Sequence, residues 1–317
     1  MPQSRARPLL LLLAPVALLA AVWWHRAGWQ PTGAGFGLTH AAAEIDAMPA
    51  TRPQPAPVHR SSENQNVAVG RGLPLDRRSG FDSERDLYHY AQRLSVAAEG
   101  GDAEAGWMLS RVYDYCAAYA QDPAGYAADS TALAGQALRG ASAMFQARQR
   151  LQARCTGFVA RDALTAAKIL GQRTDAARAG NLAAEAALLS LGRPLQDTAE
   201  YRRALVQRVL DSRDPEAYLA LSGAMGATAS GDDAYRGYVA GDQYAQLAWQ
   251  LAACRLGLAC DADSNLMTSY CANGGICSSD ASQDFPSFVI DAAVPRQSAD
   301  KMDEMVNTLV SGTGVSS

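Results

Sequence analysis

Four times between Gly101 and Ala253 the chain repeats one piece of punctuation. A helix-stopping or polar residue comes first, then Asp or Asn, then a run in which small residues alternate with large apolar ones. The four segments are GDAEAGWMLSRVY from Gly101, GNLAAEAALLSLG from Gly180, RDPEAYLALSGAM from Arg213 and GDQYAQLAWQLAA from Gly241. Glycine ends a helix cheaply, the Asp or Asn side chain caps the next one, and alanine lets paired helices approach closely. A chain built this way is committed to short helices joined by tight turns.

The periodicity agrees. Ser83 is expected to cap a first helix whose apolar stripe is Leu87, Tyr90, Ala91, Leu94 and Ala98, ended by Gly100 and Gly101. Asp102 caps a second, with Ala105, Met108, Leu109, Val112, Cys116 and Tyr119 on one face. Further helices are predicted over 131–153, 160–178, 181–192, 198–211, 214–226 and 241–257, and a last one over Ser298–Ser311. The only strand candidate is PSFVIDA around Val289, which reads equally well as a helix turn. The expected fold class is all-α, a helical-repeat solenoid or a helical bundle.

AAEGGDAEAGWMLSRVY joins the end of one helix to the start of the next, and with the other three segments it resembles the tetratricopeptide and Sel-like family of helix-pair repeats. The likeness covers about half of residues 82–258, with irregular spacing between copies. It implies a solenoid with a concave face for a protein or peptide partner.

Upstream, Arg5 and Arg7 precede an apolar run from Leu9 to Trp24, interrupted by Pro15. This is the charged and apolar pattern of an export signal. Trp23, Trp24 and His25 stand where small residues would mark a cleavage site. The expectation is an uncleaved signal anchor, residues 1–26, single-pass in the inner membrane, with the folded part in the periplasm. The alternative is a periplasmic protein released by cleavage. Residues 27–80 are rich in Gly, Pro, Ala, Ser and Asn without periodicity and read as a disordered linker. The helical-repeat domain is placed at 81–258, and a cysteine-rich C-terminal cap with the final helix at 259–317. The net charge of −4 and pI near 5.6 show no basic footprint, so no nucleic-acid partner is expected.

Six cysteines, Cys116, Cys155, Cys254, Cys260, Cys271 and Cys277, all follow the apolar run. An even count beyond an export signal predicts disulfides. The last four form two C-x5-C pairs and allow three pairings among themselves. Two bridges inside that cluster, with Cys116–Cys155 as the third, is the favoured arrangement. C-x5-C is wider than structural zinc spacing, and no C-x-x-C redox pair is present, so neither metal nor cofactor is expected.

No catalytic residue is assigned. Three of the four histidines, His25, His40 and His59, lie in the anchor or linker, and His89 reads as a surface residue of the first helix. No G-x-S-x-G, H-E-x-x-H or phosphate-binding glycine loop occurs. Asp102, Glu104, Glu216, Asp232, Asp233 and Asp242 are candidate carboxylates by type, but their positions are those of caps, first-turn acids and loop acids. Tyr90, Trp107, Tyr113 and Tyr218 are the candidate binding residues, as aromatics of the repeat-like helices that would line a groove. The expected function is a membrane-tethered scaffold or protein-interaction module of the bacterial envelope. The alternatives are a structural subunit of an envelope assembly and a carboxylate hydrolase or lyase acting on the cell wall.

Overall fold

The computed structural model describes residues 77–136 and 140–312; the proposed signal anchor and nearly all of the linker lie outside them. In chain order the helices are α1 (Arg77–Ser83), α2 (Leu87–Glu99), α3 (Ala103–Gln121), α4 (Pro123–Ala134), α5 (Ala141–Cys155), α6 (Ala166–Arg178) and α7 (Leu182–Ser190). They continue with α8 (Ala199–Ser212), α9 (Pro215–Leu221), α10 (Gln243–Arg255), α11 (Asn265–Ala272), α12 (Phe285–Ala293) and α13 (Ala299–Ser311). No strand occurs among the described residues, so the fold is all-α.

The four punctuated segments share one backbone geometry. Gly101, Gly180, Arg213 and Gly241 all adopt positive φ (89°, 97°, 52° and 106°). The next residue in each, Asp102, Asn181, Asp214 or Asp242, turns its side-chain oxygen onto a backbone N–H of the following helix. At two junctions the preceding helix closes identically. Asp102 N–H reaches Ala97 O at 3.1 Å and Asn181 N–H reaches Ala176 O at 3.0 Å, while the glycine before each bonds one residue further along. This is the left-handed closure that satisfies carbonyls which a helix end would otherwise leave open.

From these junctions the helices stack in sequence: α2 on α3, α3 on α6, α6 on α7, α7 on α9, α9 on α10 and α10 on α13. A branch leaves this row at α3, which also packs on α5; α5 in turn carries α4 and α11. Small residues set the spacing where α3 meets α6, since a Cβ on Gly106 would stand 3.3 Å from that of Ala176. Further along, α9 is anchored by Tyr218, whose hydroxyl donates to Leu309 O of α13 at 3.0 Å and whose ring lies 5.0 Å from that of Trp249 in α10. Trp249 is fully buried and its indole N–H donates to Val239 O at 2.8 Å. Buried Glu185 ties α7 to α8 by accepting from Tyr201 Oη at 2.6 Å and Arg208 Nη2 at 2.5 Å.

Several local expectations are corrected. Asp86, not Ser83, caps α2; Ser83 ends α1, which starts at Arg77 inside the span assigned to the linker. The helix predicted over 131–153 is two helices, because α4 ends against Gly135 and α5 begins after Gly140, which takes φ 82°. PSFVIDA is helical, with Asp284 as N-cap and Pro286 in the first turn, where its missing N–H costs nothing. Helix α11 was not anticipated.

Three disulfides join Cys116–Cys155, Cys254–Cys260 and Cys271–Cys277. The first links α3 to α5 and pins the branch to the row. The second straddles the boundary drawn at 258/259, so the cysteine-rich segment continues the helical array without a break. α11 returns to α5, while α13 covers α10. Loop-closure entropy scales with the span that a bridge encloses. Replacing Cys116 and Cys155 together by Ala, with a sequence separation of 39, is expected to cost about 4 kcal/mol. Each short bridge, with a separation of 6, is expected to contribute only about 2 kcal/mol. Urea unfolding of the three double variants checks this order.

Candidate functional site

The four aromatic residues proposed as groove-lining are core residues. Tyr90 and Tyr218 are 0% exposed, Trp107 2% and Tyr113 8%. Tyr113 packs edge-on to Phe158 near Lys168, and the guanidinium groups of Arg111 and Arg173 both approach the Trp107 ring. Their helical spacing reports burial, which periodicity cannot distinguish from an aromatic-lined groove. The six cysteines are paired as above. No group of three or more metal-ligating side chains occurs among the described residues.

A cleft of about 650 Å³ that combines shape with charges of both signs lies between α1, the start of α9 and the loop after α10. Arg78, Ser79, Asp82 and Ser83 line it from α1, Pro215 and Glu216 from α9, and Gly257, Leu258 and Ala259 from the loop. That loop is the segment enclosed by Cys254–Cys260, and Leu258 N–H closes α10 onto Ala253 O at 3.0 Å. One wall of the cleft is therefore covalently pinned.

The opposite wall, α1, is held by charged hydrogen bonds. Arg78 spans two junctions of the row, donating to Glu104 Oε1 at 2.7 Å and to Asp214 Oδ1 at 2.6 Å. Glu104 also accepts from Asn181 Nδ2 at 2.8 Å, so two of the four repeat-like helix starts bond this guanidinium and a third joins them through Glu104. Burial acts to lower the Arg78 pKa, but the hydrogen bonds to Glu104 and Asp214 outweigh it and the net direction is up. At the other end of α1, Arg154 of α5 donates to Glu84 O from Nε at 3.0 Å and bonds the Phe81 carbonyl. Asn265 of α11, 3% exposed, donates to Phe81 O and Asp82 Oδ1, both at 2.8 Å.

Below these lies Glu216, 5% exposed and ion-paired with Arg111, which also packs over the rings of Phe81 and Trp107. Asp82 is exposed to the cleft, yet the protein crowding one side of its carboxyl raises its pKa. Glu216 pushes the same way, while Arg111, Arg154 and the Asn265 hydrogen bond pull it down without prevailing.

Of the carboxylates read as caps and first-turn acids, Asp102, Asp232 and Asp242 cap helix starts. Glu104 and Glu216 bind arginines, and Asp233 pairs with Arg236. His89 is exposed and meets Asp86 at 2.6 Å. Arg78, Asp82, Arg111, Arg154 and Asn265 were not singled out. Asp82 and Asn265 are 183 residues apart, and no local pattern marks such a pair. No family model matches the chain, and no curated protein or solved structure matches it.

Two outcomes are expected here. Arg111→Met strands a buried carboxylate and is expected to lose about 3 kcal/mol, whereas Arg111→Met combined with Glu216→Gln recovers most of the loss. Chemical denaturation of the two single variants and the double completes that cycle. Asp82 binds its proton more tightly folded than unfolded, so its ionisation opposes folding above the ordinary carboxylate value of 3.8. Asp82→Asn is therefore expected to be more stable than the parent at neutral pH, with the difference shrinking as pH falls through the raised pKa and vanishing below 3.8; thermal unfolding at a series of pH values tests the sign.

Proposed function

We propose that this chain is a membrane-tethered periplasmic protein whose helical domain, of tetratricopeptide or Sel-like repeat type, binds a protein partner of the envelope at the α1–α9 cleft. The observation that carries this reading is the cleft itself. It is open and bounded by three separate chain segments, one wall enclosed by a disulfide and the other held by hydrogen bonds to α3, α9, α5 and α11. Rigid walls reduce the ordering cost of binding. Three further features support the setting. The apolar run behind Arg5 and Arg7 has the pattern of an export signal. All six cysteines pair, as suits an oxidising compartment. Four helix starts repeat one geometry in the manner of a repeat array.

The hydrolase alternative fits the cleft less well. Carboxylate-driven cleavage of a glycosidic bond ordinarily uses two carboxyl groups that are free to exchange protons or attack. Glu216 is bound to Arg111, which leaves Asp82 alone.

Photocrosslinking in cells tests the proposal. A photoreactive residue at Ser83 or Leu258, on the cleft walls, is expected to yield one reproducible envelope-protein adduct, while the same residue at exposed Asp129 of α4 yields none. Adducts absent from both cleft positions in folded, oxidised protein would overturn the reading in favour of a structural subunit.

A further inference from the structure

Most carboxylates around the cleft are paired from within. Arg78 is neutralised by Glu104 and Asp214, and Glu216 by Arg111. Arg154 directs its donors to the carbonyls of Phe81, Asp82 and Glu84 and to the Asn265 amide. Asp82 differs from the other carboxylates of the cleft: Arg111 and Arg154 act on it only from beyond ion-pair distance, and its side-chain hydrogen bond comes from the neutral amide of Asn265. That amide is buried and also bonded to Phe81 O, so the carboxylate is held in place from below while remaining open to the cleft. Across the mouth, Pro215, Leu258 and Ala259 present aliphatic surface.

A fixed anion facing an aliphatic wall is complementary to a side chain with a hydrocarbon stem and a cationic tip. We infer that the cleft takes a peptide segment bearing a lysine or arginine, the stem lying on Leu258 and Pro215 and the cation meeting Asp82. This rests on the reading of the chain as an interaction module and names the chemistry of its partner.

Selection from a displayed random-peptide library against the purified, oxidised full-length chain in detergent tests the inference. The bound pool is expected to converge on Lys or Arg at one position. The enriched peptides are expected to bind Asp82→Asn roughly tenfold more weakly than the parent, the loss of one charge-assisted contact, with no change for Asp129→Asn. The asparagine retains an oxygen for Asn265, and mass spectrometry of the three disulfides together with thermal unfolding verifies that the variant is folded. Convergence on peptides without a basic residue, or equal binding to Asp82→Asn, would overturn the cation assignment and leave the interaction module standing. Failure to enrich any peptide would overturn both.

Discussion

The architecture depends on one backbone event, a left-handed residue followed at once by a capping Asp or Asn. It ends one helix, turns the chain within two or three residues, and starts the next with an orphan N–H already satisfied. Turns that short leave consecutive helices little choice but to lie side by side. Gly101 and Gly180 take the geometry without steric cost, while Arg213 adopts it at a cost that an L side chain always carries. At Arg213 the next residue, Asp214, both caps α9 and accepts from Arg78, so the strained turn sits where the array is also cross-linked by charge.

That cross-link shows how capping and site construction merge. The residues that begin α3, α7 and α9 have polar side chains because helix starts need them. Once the helices stack, these starts are neighbours, and Arg78 gathers Glu104 and Asp214 while Asn181 supports Glu104. Electrostatics near helix starts is ordinarily worth a fraction of a kilocalorie. Convergence on a single planar guanidinium makes it directional and fixes α1 against the array, and α1 is half of the cleft.

Much of the fold was legible because it is local. The stripe Ala105, Met108, Leu109, Val112, Cys116 and Tyr119 is buried throughout, and Met302, Val306 and Leu309 are buried in α13, since periodicity of 3.6 residues reports the hidden face directly. Cysteine parity and spacing pointed to the bridges. What failed was whatever depends on distant partners. Tyr90 and Tyr218 are attractive contact residues by type, yet three-dimensional stacking puts them at the centre. The break between α4 and α5 needed two glycines to be weighed against a continuous apolar pattern. The cleft was invisible, since Asp82 acquires its character from Asn265, Arg111 and Glu216, none of them near it in sequence.

The attachment of α1 has a mechanical side. It is the first described helix of the chain, so tension applied from the N-terminal side reaches it before the other described helices. Its holds are distributed: Arg78 leads to α3 and α9, the Phe81 carbonyl and Asp82 lead to α5 and α11. Both short-range and long-range neighbours share the strain, and Phe81, buried beneath, must leave the core before the helix can peel. A helix of seven residues thus serves as a strain relief, passing a pull at one point into four helices and, through Cys116–Cys155, into a covalent brace.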